Sequence, residues 1–168
     1  MDGILTVLCA GQGGQHAAMF DMVADCPEAS AIFDVAGTVL GEDPRVFVKQ
    51  NDLENIYTNR SGQILCCTQA LAFHAVLEKT LSSQSILYAG YSVGELAAWG
   101  LAGCLTPRQV LELAARRPAP MEAVSPPAAG LAGLPGPPRL IIEDIVAKFP
   151  GCIATPNPYH SAWIRRPV

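Results

Sequence analysis

Basic charge is scarce in this sequence: 11 Lys and Arg stand against 15 Asp and Glu, for a net charge of −4. The basic residues are scattered, so the footprint of a nucleic-acid or anionic-membrane binder is missing and no polyanionic partner is expected. No basic segment precedes the first apolar run, and glycines interrupt that run after Ala10. Neither a signal peptide nor a membrane span is read there, and a cytoplasmic chain is expected. Cysteine is present six times, but no two form C-x-x-C and none clusters with histidine at ligand spacing. Cys9, Cys26, Cys66, Cys67, Cys104 and Cys152 read as small buried hydrophobes, with no metal site. There is also no internal repeat.

What is present suits a globular α/β chain, since 50% of the 168 residues are hydrophobic and 15% are charged. Ile4 to Ala10 is a β-branched-rich apolar run, read as a strand buried on both faces. Residues 16 to 40 carry helix-forming stretches punctuated by Pro27 and Gly37, and Gly41 to Asp52 reads as a polar connection. Ser61 is placed as the cap of a long helix to Leu81, on which Leu65, Thr68, Leu71, Ala72, Ala75 and Val76 recur at helical spacing. Ser85 to Ala89 is a second strand. Thr106-Pro107 supplies an N-cap and a first-turn proline for a helix through Val110, Leu111 and Ala114 to Arg116-Arg117. Strand, helix, strand, helix predicts a parallel sheet. Beyond Arg117, seven of the 14 prolines fall between Pro118 and Pro138. Pro118 and Pro120 are expected to stop any helix, leaving a linker or a damaged stretch. A short amphipathic helix over 139–149 and a strand from Cys152 to Thr155 follow.

The chemistry-bearing stretch is Gly90-Tyr91-Ser92-Val93-Gly94, a G-x-S-x-G pattern between a strand and a helix. At so tight a turn the serine is held in a strained backbone conformation, and the flanking glycines let strand and helix approach. The helix behind it aims free N–H groups at the same spot, making the Val93 N–H the natural oxyanion donor. Gly11-Gln12-Gly13-Gly14-Gln15 follows the first strand, and in a parallel sheet such loops gather at one edge. It lacks both G-x-G-x-x-G and the P-loop lysine, so it does not read as a phosphate cradle. Gln12 is read as a second oxyanion donor through its amide.

Together these residues resemble the malonyl-CoA:acyl-carrier-protein transacylases. The marks are a G-Q-G-x-Q loop, matched by Gly11 to Gln15, and a G-H-S-x-G-E-x-A-A elbow, matched by Gly90 to Ala98 with Tyr91 for the usual histidine. An arginine near the end of the next helix is matched by Arg116, with Arg117 as the alternative register. The match runs from about Ile4 to Arg117. The stretches "GQGGQHAAMFDM", "GYSVGELAAWGLAG", "MEAVSPPAAGLAG" and "IATPNP" look most like the epsilon-subunit branch found in malonate decarboxylase.

The resemblance implies an acyltransferase-type three-layer α/β fold, with residues 1–124 as its N-terminal part and 125–168 as part of a small ferredoxin-like subdomain. It implies Ser92 as nucleophile, Gln12 and Val93 as the oxyanion hole, and Arg116 as the partner of the malonyl carboxylate. No bound cofactor is implied; malonyl-CoA is the substrate, and an acyl carrier protein, with other malonate decarboxylase subunits, the partner. In the family the general base is a histidine in a later segment, and His16, His74 and His160 match no such motif. An incomplete fold is therefore expected, with an unpaired sheet edge and exposed apolar surface. Two other readings are a carrier-protein docking module without turnover and an α/β-hydrolase esterase, the latter giving no account of GQGGQ or the arginine.

Overall fold

The computed structural model describes residues 4–81, 85–124, 131–135, 139–148, 153–157 and 161–165, with backbone alone for 131–135, Arg139, 153–157 and 161–165. The chain forms two compact units, Met1–Ala119 and Pro120–Val168. The split falls shortly before the 124/125 boundary read from the sequence.

In the first unit, strand β1 (Ile4–Cys9) pairs in parallel with β2 (Ser85–Gly90), from Ile4 opposite Ser85 to Cys9 opposite Gly90. The pairing brings the loop after β1 and the turn after β2 to the same edge. Helix α1 (Pro27–Leu40) starts with proline at its first turn and ends at Gly41, whose φ of +100° suits glycine. The stretch from Gly41 to Asp52, read as a connection, contains helix α2 (Pro44–Gln50). The missed signal is Asp43-Pro44: the Asp43 carboxylate accepts from the Arg45 N–H at 2.9 Å, and proline fills the first helical position. A short turn, α3 (Leu53–Ile56), is capped by Asp52.

The long helix α4 (Asn59–Leu81) begins two residues before Ser61, because Thr58 does the capping: its Oγ1 accepts the Ser61 N–H at 3.2 Å. It is long and apolar enough to cross a membrane, yet it packs against α1, α5 (Gly94–Leu101) and α6 (Pro107–Arg116). Ile64, Leu65, Cys67, Thr68 and Ala72 on α4 are fully buried. Each large aliphatic among them contributes about 1.5–3 kcal/mol. Phe20 packs edge-on against Phe33 in the same core, ring centroids 5.4 Å apart. Helix α6 carries the expected Thr106 cap, completed by Gln109 as a capping box.

Strand β1 departs from the expectation of burial on both faces. Ile4 is 70% exposed and Leu8 76%, and only Cys9 is buried. A parallel strand is covered when neighbouring strands and helix layers flank it; here each of the two strands has one edge without a partner among the described residues.

Pro118 and Pro120 do not stop the chain from turning helical. Helix α7 (Pro118–Ala123) starts at Pro118, so both prolines lie in a first turn, where N–H groups have no intrahelical acceptor to lose. The second unit follows as β3 (Leu131–Pro135), α8 (Arg139–Ala147), β4 (Ile153–Asn157) and β5 (Ser161–Arg165). Its sheet is antiparallel with β5 between β3 and β4, the order of the first three strands of a ferredoxin-like fold. Pro135 and Pro156 both sit in outer strands, which have a partner on one side only among the described residues, while the central strand carries no proline. The stretch read as a linker or damaged sequence therefore contains a paired strand.

Candidate active site

The site is built at the ends of β1 and β2. Between Gly90 and Gly94 the chain reverses within three residues, and Ser92 sits at the bend with φ +55°, the left-handed region. No other described non-glycine residue has positive φ. For an L-residue this costs about 1–2 kcal/mol, and the cost goes with an exposed hydroxyl. The glycines on either side are required by contact. A Cβ on Gly90 would run into the Gly94 carbonyl, and one on Gly94 into the carbonyls of Cys9 and Ala10. Gly94→Ala is therefore expected to destabilise the protein by about 1–3 kcal/mol, read as a lowered denaturation midpoint in urea. A midpoint equal to that of the parent protein would contradict this contact.

The loop after β1 stands directly against this turn: a Cβ on Gly11 would lie 3.6 Å from the Ser92 Cβ and 3.1 Å from the Tyr91 carbonyl. Gly13 has φ +125° and gives its N–H to Gln15 Oε1 at 2.6 Å, so the loop is stitched across itself. The Tyr57 hydroxyl donates to the Gln15 carbonyl at 2.8 Å. Gln12 is exposed, and its Nε2 donates to the Asn59 carbonyl at 3.3 Å, leaving its second N–H for a ligand. The loop is thus beside Ser92, with the Gln12 amide resting on the start of α4. Gly62 makes room for it, because a Cβ there would stand 2.9 Å from Gln12 Nε2.

Two adjacent thiols of α4 grip the two loops from behind. Cys66 Sγ donates to the Gly11 carbonyl at 3.6 Å and Cys67 Sγ to the Val93 carbonyl at 3.7 Å. Burial pushes the Cys66 thiol up to about 11 and Cys67 to about 12, so both stay protonated and remain donors. These are packing groups, as is buried Cys9; Cys104, by contrast, is exposed, and Cys152 lies outside the described residues. The Val93 side chain is fully buried, which anchors the turn, and its N–H precedes α5, where helical N–H groups lack intrahelical acceptors.

The arginine that reaches the serine is Arg117. Its Nη2 donates to Ser92 Oγ at 3.5 Å and its Nη1 to Gln63 Oε1 at 3.0 Å. Arg116, the preferred register from the sequence, is exposed and lines a shallow groove with Leu105, Gln109, Glu112 and Leu113. Consecutive helical residues point about 100° apart, so only one of the two can face the elbow. Gln63 was not singled out from the sequence. It is fully buried, and its Nε2 donates to Asn59 Oδ1 at 2.8 Å. The available signal was the i, i+4 spacing of Asn59 and Gln63 on one helix face.

The histidines are engaged elsewhere. His16 Nδ1 accepts from the Ala18 N–H at 3.2 Å, closing its own turn. His74 is bonded to the Tyr88 hydroxyl at 2.9 Å, and burial holds its imidazole below the usual value, opposed by Glu78. His160 lies outside the described residues.

No protein-family model matches this chain, and no curated protein sequence matches it. Solved structures do. The acyl-carrier-protein S-malonyltransferase of Burkholderia pseudomallei is 22% identical, with a TM-score of 0.80, over 96% of this chain and 54% of its own. The malonyl CoA-acyl carrier protein transacylase of Coxiella burnetii is 23% identical, with a TM-score of 0.81, over 98% and 54%. A type II PKS acyl-carrier protein in complex with its malonyl-transacylase is matched at 25% identity and a TM-score of 0.80, over 97% and 54%. The chain therefore has the α/β acyltransferase fold of these malonyltransferases, and it spans little more than half of their length.

Proposed function

We propose that this chain carries the nucleophile half of a malonyl-CoA:acyl-carrier-protein malonyltransferase site. Ser92 Oγ attacks the thioester carbonyl carbon of malonyl-CoA; the C–O bond forms, the C–S bond breaks, and CoA leaves as its thiol. The Val93 N–H and the Gln12 amide hold the oxyanion in between. A carrier-protein thiol then attacks the seryl ester and frees Ser92. Arg117, rather than Arg116, pairs with the distal malonyl carboxylate. The observation that carries this reading is a guanidinium 3.5 Å from the hydroxyl of a serine held at φ +55°. A cation there recognises an acyl group bearing its own negative charge, which an esterase for neutral esters does not need.

The carrier-protein partner is supported by the matched complex of a carrier protein with its malonyl-transacylase. A cytoplasmic malonate decarboxylase is the setting we favour, from the motif details alone. The test is incubation with labelled malonyl-CoA and labelled acetyl-CoA, followed by peptide mapping. Malonyl label on the Ser92 peptide, exceeding acetyl label, is the expected result. Label from generic ester reagents only would favour the esterase reading and end this one. A second reading, a docking module without turnover, is favoured by the histidines: among the described residues, neither imidazole is placed to take the Ser92 proton. It predicts carrier-protein binding with no label at all.

A further inference from the structure

Asn59, at the start of α4, touches both arms of the site. Its backbone carbonyl accepts Gln12 Nε2 at 3.3 Å, and its side-chain Oδ1 accepts Gln63 Nε2 at 2.8 Å. Gln63 Oε1 then accepts Arg117 Nη1 at 3.0 Å, and Arg117 Nη2 reaches Ser92 Oγ. A primary amide is nearly symmetric in shape but opposite in chemistry at its two ends. A guanidinium has only donors, so the carbonyl end of Gln63 holds it and the NH2 end repels it. Buried Gln63 has little freedom to choose by solvation. An acceptor at residue 59 makes the choice, because it takes the NH2 end and turns the carbonyl to the cation.

We propose that Asn59 is a positioning residue for malonyl selectivity: its Oδ1 sets the orientation of the Gln63 amide, and the amide aims Arg117 at Ser92. The proposal rests on the malonyl-transfer reading. The i, i+4 spacing makes the helix itself fix the Asn59–Gln63 distance, so the device needs no loop to hold it.

The discriminating variants are Asn59→Leu, which has no acceptor, and Asn59→Asp, which offers acceptors on either oxygen and cannot present a donor when ionised. The ratio of malonyl-CoA to acetyl-CoA labelling at Ser92 is expected to fall about tenfold in Asn59→Leu, matching one lost hydrogen bond. The loss falls on malonyl, with fluorophosphonate labelling of Ser92 kept. Asn59→Asp restores the ratio. An unchanged ratio in Asn59→Leu, or equal loss in both variants, overturns the proposal, the latter because it marks a packing role. A second readout does not depend on acyl transfer: the 15N resonance of the Arg117 Nε–H, assigned by its disappearance in Arg117→Lys. It is expected to be sharp in the parent protein and Asn59→Asp, and broadened in Asn59→Leu. If the parent takes no malonyl label, the functional reading fails while this resonance still decides the role of Asn59; an undisturbed resonance in Asn59→Leu sinks it.

Discussion

Replacing Ser92 with glycine is expected to abolish malonyl label completely while making the protein more stable. The loss follows from removing the hydroxyl that the bend of the elbow presents. The gain follows from φ +55°, which an L-side chain occupies at a cost of about 1–2 kcal/mol and glycine adopts freely. Part of that gain is returned through the greater freedom of glycine in the unfolded chain, leaving a net of about 0.5–1 kcal/mol. Ser92→Ala separates the two effects: it loses label equally but keeps the Cβ, and with it the strain. Urea denaturation of the three proteins side by side is the measurement. Glycine less stable than alanine at position 92 would show that the turn is not strained in solution.

Such a trade between stability and a presented hydroxyl is the kind of feature a sequence reveals well. The glycines at 90 and 94 are legible because nothing larger fits between a strand end and a helix start, and the contacts of Gly94 with the β1 carbonyls bear that out. Gly13 is glycine for a different reason, its left-handed φ of +125°, since a Cβ there would meet nothing. The Thr106 N-cap and first-turn Pro107 are equally local and were read from the sequence, whereas the Gln109 half of the capping box was not. Arg116 against Arg117 was a different problem. A helix face is fixed to within one residue only by where the helix ends and what it packs on, and Arg117 sits at its terminal cap. Buried Gln63 was harder still: the i, i+4 spacing from Asn59 was its one local signal, and its other partner, Arg117, comes from a different element 54 residues away. The proline-rich stretch misled for a complementary reason. Proline forbids hydrogen bonds it would have donated, but in first turns and outer strands there are none to forbid, and only topology says which positions those are.

The topological resolution of the arginine pair makes the sharpest comparison. Arg117→Met is expected to reduce malonyl labelling of Ser92 by about 100-fold, while Arg116→Ala leaves it within about twofold. The size follows from hydrogen bonds to a charged partner, worth about 1.5–3 kcal/mol, with each 1.36 kcal/mol a factor of ten. Acetyl labelling provides the internal control, because an acetyl group has no distal carboxylate for the guanidinium to hold; Arg117→Met leaves it unchanged or raises it. Arg117→Lys is expected to fall between, since an ammonium keeps the charge but not the planar fork that serves Gln63 and a carboxylate at once. The comparison is sensitive to register alone, as the two residues are neighbours in sequence with the same side chain. Equal losses from Arg116→Ala and Arg117→Met would mean that selectivity is set by the summed positive charge at the end of α6, and the pairing of Arg117 with the elbow would carry no chemistry.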